Sequence, residues 1–430
     1  MMNKFVSLSV SAALLVAGLM ISTASAQEIN YNLPSADTIQ KQKDSRRNQA
    51  VGDRVGRRIM RAFELYSEEE DIVAAIAELE EADPRETFDK AYLNRFLGNL
   101  YAAQDRMEDA FRSIKIAADA DILGWSDHAS SLKLAGDLAL GMEKYSEALN
   151  YYGKWLQFTG EYDPQVLMRV ANAYYELKQY DKIIRPADLA IQYAEEPDKN
   201  PYVLKVASYY ERKMYAQAIE VLEAGLLVLP GERTWWNQLG MLYLLEERVD
   251  KALQTLELAY LAGYFDKESQ YKALVQLYAN NDIPFKAAET MVKHLASGDI
   301  EKTARNYQNA ASNFEASKEF AKAARYFGEA AKLEEEDDDR AMQYRRQGTS
   351  FIRAERYRDA EQAYLKALEF GIEDKGAVYM SLAETYFYQE KYADALRYVL
   401  EAKRLPDTRR AASSWEQYIR TKASNKGVNL

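Results

Sequence analysis

A unit of about 35 residues recurs along most of this 430-residue chain, and no other feature constrains its fold so strongly. The clearest copy reads Trp236-x-x-Leu239-Gly240-x-x-Tyr243, followed by Ala252, Leu256 and Ala259. Other copies keep the same order: Gly98, Tyr101, Ala110 and Ile114; Gly136, Ala148 and Tyr152; Gly348, Ala360 and Tyr364; Ala383, Tyr386, Ala395 and Val399. Nine units begin near residues 91, 129, 164, 199, 233, 268, 304, 341 and 376. The spacing within each unit is that of two amphipathic helices. The small residue of the first helix faces the alanine of the second, so the two can cross closely, and the aromatics fill the gap to the next pair. No pair buries its apolar face alone, so neighbours must supply the core. The prediction is an all-α stack of antiparallel helix pairs in which losing a core aromatic such as Trp236 costs about 3–5 kcal/mol, mostly locally.

The ends fit a stack that needs terminal caps. Residues 45–90 read as a degenerate pair, with helices at roughly 45–66 and 69–82. Nine repeats occupy 91–409. Residues 410–424 read as a capping helix with Trp415, Tyr418 and Ile419 inward, and 425–430 as a tail. Residues 45 to 424 are expected to form one folded domain that grows in one dimension. Pro186 interrupts the second helix of the third repeat, which predicts a kink or a late helix start there.

Residues 1–26 have the layout of a secretory signal: Lys4 as the positive start, an apolar stretch from Leu8 to Ile21, and Ala24-Ser25-Ala26 as an A-x-A site. The mature chain is expected to begin at Gln27 and to reside in the periplasm, with no membrane insertion after cleavage. Residues 27–44 are polar, contain Pro34 and show no helical stripe, so they read as a flexible leader. There is no cysteine, which removes disulfides, thiol catalysis and a lipid-anchored route. Without Lys4 the chain carries 55 basic and 67 acidic residues, a net charge of −12. That sign argues against nucleic acid and anionic lipid, and favours basic segments of partner proteins.

Nothing in the chain predicts an enzyme. Its two histidines are His128, expected to be exposed near a loop, and His294, expected to be packed or capping. There is no P-loop, no dinucleotide-binding glycine motif and no zinc-protease motif. The acidic run Glu334 to Asp339 lacks the glycine and the ligand spacing of a calcium loop, and reads as a solvated loop with Asp338 or Asp339 near the start of the next helix. No catalytic residue, metal or cofactor is expected.

The W-x2-LG-x2-Y…A-x3-Φ order, where Φ is apolar or aromatic, resembles the tetratricopeptide repeat (TPR) superfamily over about residues 91–409. The resemblance implies a right-handed superhelical solenoid whose first helices line a concave groove. It also implies that positions 2, 5, 9, 12 and 13 of each unit face that groove. Here they include Arg95, Asn99, Lys133, Asn172, Tyr175, Tyr210, Asn237, Lys272, Gln276, Arg345 and Arg353, together with Tyr92, Asp137 and Tyr388. Such a mix of aromatic, amide and charge suits a peptide or helix. Arg95 and Asn99 resemble half of a carboxylate clamp, but Asp137 sits where a neutral or positive group would serve better. A narrower resemblance is to periplasmic TPR proteins associated with TonB–ExbB–ExbD energy-transduction systems. It is carried by the signal sequence, Arg57-Arg58-Ile59-Met60, Trp235 to Tyr243, Ala259 to Gly263, Pro284 to Ala288 and Trp415 to Ile419. It implies a non-enzymatic adaptor supporting TonB-dependent uptake, with TonB, ExbB or ExbD as partners. The alternatives are a scaffold for envelope assembly or polysaccharide export and, further off, a cell-wall enzyme.

Overall fold

The computed structural model describes residues 28–46, 49–68 and 70–430. The signal sequence assigned to residues 1–26 lies outside the described residues. Within them the chain is all-α, built from helix pairs stacked as in a TPR solenoid, and no strand is present. It divides into two compact units, one up to Met214 and one from Tyr215, where the repeat pattern predicts a single domain. A stack in which each pair touches only its neighbours has no single centre to hold it as one body.

In the first unit α1 spans Ala36–Ser45, α2 Asp53–Ser67, α3 Ile72–Glu80, α4 Thr87–Ala103, α5 Met107–Asp119, α6 Trp125–Gly141 and α7 Tyr145–Thr159. Then come α8 at Pro164–Glu176, a 3-10 turn at Tyr180–Ile183, α9 at Ile184–Tyr193 and α10 at Asn200–Glu211. The second unit holds α11 Tyr215–Val228, α12 Arg233–Leu245, α13 Val249–Leu261, α14 Glu268–Asn280, α15 Pro284–Ser297 and α16 Ala304–Ala316. It continues with α17 Phe320–Leu333, α18 Asp337–Arg353, α19 Tyr357–Glu369, α20 Lys375–Tyr388, α21 Tyr392–Arg404 and α22 Arg409–Asn425.

The small residues allow the close crossing that their spacing predicts, but the side chain they face is not the expected alanine: it is the residue one turn after it, in the same pair. A Cβ at Gly240 would lie 2.6 Å from Cγ of Leu256, and one at Gly136 would lie 2.6 Å from Cε1 of Tyr152. The paired alanines, Ala110, Ala148, Ala252, Ala323, Ala360 and Ala395, are fully buried. Pro186 sits in the first turn of α9, after the 3-10 turn, where its missing amide has no helical partner to lose. The tryptophans reverse the predicted roles. Trp235 is 2% exposed, while Trp236 is half-buried with its indole N–H donated to the carbonyl of Pro230 at 3.0 Å.

One feature repeats that no glycine or asparagine announces. Asp105, Glu143, Lys178, Lys213, Glu247, Asp282, Lys318, Glu355 and Glu390 all adopt a left-handed φ of 56–63° just after the first helix of their repeat. The next amide then returns to a carbonyl near the helix end: Arg248 to Tyr243 at 2.8 Å, Ile283 to Tyr278 at 2.9 Å, Lys391 to Tyr386 at 3.0 Å. This is the Schellman closure, usually built on glycine. A side chain there costs about 1–2 kcal/mol, which the closing bond and the packing of the pair offset.

Both ends differ from expectation. The first helix of the N-terminal pair begins at Asp53 rather than near 45, because Gly52 turns the chain and donates its amide to Asp89 at 3.0 Å. The segment read as a flexible leader is ordered: residues 28–35 run without helix along the first unit, with Ile29 buried, and α1 follows. At the other end α22 buries Ala412, Ile419 and Ala423. Tyr418, expected inward, is half exposed and lies 5.2 Å from the Phe387 ring. The acidic run is not all loop, since Asp337, Asp338 and Asp339 form the first turn of α18, where the helix dipole favours them.

Candidate binding face

In the first unit the open sides of α4, α6 and α8 carry the nominated polar residues, and most are already engaged. Arg95 pairs with Asp127 at 2.8 Å, and Lys133 with Asp163 at 3.1 Å. Asp137 takes a hydrogen bond from Tyr152 at 2.7 Å and an ion pair from Arg169 at 2.5 Å. Asp163 caps α8 ahead of Pro164. Burial opposes its ionisation, but hydrogen bonds from Lys133 and the amides of Val166 and Gln165 outweigh that and hold its pKa below the ordinary value. These contacts tie each first helix to the next. The clamp suggested by Arg95 and Asn99 is not built: Arg95 is paired, and the Asn99 amide donates to the carbonyl of Arg95 at 2.7 Å.

Further along this unit a cleft of about 480 Å³ opens between α8, α9 and α10. Met168, Arg169, Asn172, Val203 and Leu204 line it. Asn172 is exposed there. Tyr175 is half-buried, its ring edge-on to Tyr180 at 5.7 Å. Tyr210 and Val203 are half exposed on α10.

In the second unit α12 buries Trp235, Leu239, Leu242 and Tyr243, so Thr234, Gln238, Met241 and Leu245 form the outward stripe. Met241 is 47% exposed and Leu245 50%, one turn apart at the ninth and thirteenth positions of the repeat. Asn237 is half-buried on the same helix. Lys272 pairs within α14 with Glu268 at 2.5 Å, and Gln276 donates to Asn280 at 2.7 Å. Arg353 reaches back from α18 to Glu315 at 2.9 Å and lies 4.0 Å over the Phe320 ring. Arg345 pairs with Asp374, the cap of α20, at 3.4 Å. The nominated arginines therefore join neighbouring repeats rather than stand free. Val203, Met241 and Leu245 are not among the residues the sequence nominates, although the repeat register assigns them to positions 5, 9 and 13.

Both histidines are enclosed by their neighbours. His128, expected to be exposed, is buried: its Nε2 lies 3.0 Å from Asp121 and its ring packs edge-on to Phe158 at 4.7 Å. His294 is buried too, with its ring 4.1 Å from that of Tyr271. Among the described residues no cluster of three or more acidic or histidine side chains is placed to hold a metal ion, and no helix is long and apolar enough to cross a membrane.

No protein-family model and no curated protein matches the chain. Solved structures do. A tetratricopeptide repeat protein from Parabacteroides merdae is 16% identical, covers 69% of this chain and 99% of its own, and superposes with a TM-score of 0.34. The Naa15/Naa10 structure bound to HypK is 14% identical over 90% of this chain and 63% of the other, with a TM-score of 0.45. YrrB, described as a TPR protein with an unusual peptide-binding site, is 21% identical over 44% of this chain and 90% of its own, with a TM-score of 0.34. The likeness is to helical repeat architecture.

Proposed function

We propose that this chain is a non-enzymatic scaffold that holds protein partners on the open face of its first helices, in the periplasm, in support of a TonB-dependent transport system. The observation that carries the binding reading is the exposed Met241–Leu245 stripe on α12. Both residues occupy inner positions of a repeat, one turn apart, and give a docked peptide an apolar strip to cover. The amide of Asn237, one turn before Met241, suits the main chain of a docked peptide, and the acidic balance of the chain favours a basic partner. The location and the TonB link rest on the signal-like N-terminus and on the resemblance of segments such as Trp235 to Tyr243.

The test is a photoreactive residue at Gln238 in cells, with and without Met241→Asp and Leu245→Asp. The expected result is crosslinking to a TonB, ExbB or ExbD component that the aspartates abolish while the helical melting curve persists. Crosslinking unchanged by both aspartates would overturn the groove. Deletion should impair uptake of an iron chelate and leave surface polymer intact; the reverse pattern would assign the chain to envelope assembly instead.

A further inference from the structure

The N-terminal stretch of the described chain is held in a cleft. Residues 28–33 alternate outward and inward, with Ile29 buried and Tyr31 and Leu33 partly so. The receiving surface is α7, the turn after it and α8. Gln157 donates its side-chain amide to the carbonyl of Asn30 at 2.7 Å and to that of Asn32 at 3.3 Å. Tyr162 donates its hydroxyl to the carbonyl of Tyr31 at 2.6 Å, and the Tyr174 hydroxyl accepts the Ile29 amide at 3.5 Å. Gly160 makes room for Ile39, while Gly153 lies under Ile29 at ordinary contact distance. A Cβ at Gly153 would lie 3.4 Å from the Ile29 side chain, and one at Gly160 would lie 2.7 Å from that of Ile39. At the far end Arg46 donates to the carbonyl of Leu123 at 2.9 Å, pairs with Asp121 and stacks 4.6 Å over Phe158.

Three features separate this from ordinary core packing. The cleft reads carbonyl oxygens, which any extended peptide offers, and inspects only a few side chains. Helix α1 buries no residue completely, and a ten-residue helix is marginal in water, so what holds it is the contact of Ile39 with Gly160 and the bonds of its C-terminal Arg46. The contacts span more than a hundred residues of sequence, so the segment reaches the cleft as a separate strand of chain and not as a neighbour of the repeats that form it. We propose that the α7–α8 cleft is a second peptide-binding site, on the second-helix side of the stack, and that its resident ligand is this chain's own residues 28–46. The class of ligand is an extended segment with an aliphatic residue followed two positions later by an aromatic one. Tethering gives the resident segment an effective concentration on the order of millimolar, so even a weak site stays filled in cis.

The test uses the full chain and a fluorescent synthetic peptide of residues 28–46. Ile29→Asp should release the segment, seen as faster hydrogen exchange over residues 30–40, and the peptide should then bind at least tenfold tighter than to the native chain. Adding Gln157→Ala and Tyr162→Phe should remove that gain. Gly153→Leu, which fills the cleft from the other side, should release the segment and leave the peptide unbound; if Ile29→Asp impairs folding, hydrogen exchange over residues 30–40 of this variant is the readout, and a segment that stays protected overturns the proposal. Equal peptide affinity for the native and Ile29→Asp chains overturns the proposal, as does no peptide binding to the Ile29→Asp chain. Native chains that exchange their segments to form dimers would replace the resident occupant by a second copy and overturn the assignment in cis.

Discussion

The Nε2 of His294 lies 2.9 Å from the hydroxyl of Tyr260, which joins α15 to α13 across a repeat. The Nδ1–H of the same ring donates to Asp299 at 2.8 Å, and Lys293 donates to the Tyr260 hydroxyl at 2.8 Å. The order is carboxylate, imidazole, hydroxyl, as in a catalytic relay, but the imidazole is enclosed between aromatic rings and both nitrogens are committed to neighbours. Its work is to fasten repeats. Replacing His294 by Phe keeps the ring and removes both bonds, so stability should fall by about 0.5–1.5 kcal/mol for each bond lost. Urea titration of the two proteins measures this, and an unchanged midpoint would show that the bonds contribute nothing.

His128 should set an acid limit on the first unit. Burial, and then the nearby Arg46 charge, lower its pKa to about 4 from the ordinary 6.5, against the opposing pull of Asp121. A histidine kept neutral in the fold binds more protons once unfolded. Stability should therefore be intact above pH 6.5, fall as pH drops toward 4, and gain no further loss from this group below that. The total is at most about 3 kcal/mol. His128→Gln should flatten the profile across that window, as read by melting temperature against pH. A profile identical to the native one would remove His128 as the cause.

Gly136→Ala should cost about 1–3 kcal/mol, because the new methyl meets the rigid ring of Tyr152 at 2.6 Å and the pair must part. Tyr152 also donates its hydroxyl to Asp137, so the shift should loosen the Asp137–Arg169 pair. Hydrogen exchange should show the loss confined to α6, α7 and their neighbours, whereas loss spread evenly over the chain would contradict a stack of local contacts.

Trp235→Ala should cost about 3–5 kcal/mol, and Trp236→Ala clearly less, since only the first ring is fully enclosed. Chemical denaturation of both variants settles the order. Equal losses would mean that the half-buried ring matters as much as the enclosed one.

The helix pairs were legible because steric fit writes itself as small residues at fixed spacing: Gly240 cannot be larger with Leu256 where it is. The left-handed turns were not, because Glu247 and its equivalents adopt by context a conformation that sequence normally signals with glycine. The docked N-terminal segment was hidden for a different reason. Its partners Gln157 and Tyr162 bind carbonyl oxygens, and a carbonyl leaves no mark in a pattern of side chains. The binding face was half legible. Register located its positions, but whether Arg345 or Arg353 faced a ligand depended on Asp374 and Glu315, which belong to neighbouring repeats.

The charged residues in those nine turns have a practical corollary. Each holds a conformation that glycine takes without penalty, at sites spread one per module and away from the faces discussed for ligands. A protein engineer could exchange them singly, Glu143 in one module or Glu390 in another, and harden or soften the array step by step. Resilience in this chain is thus adjustable like the tension of separate strings, each tuned without retuning the rest.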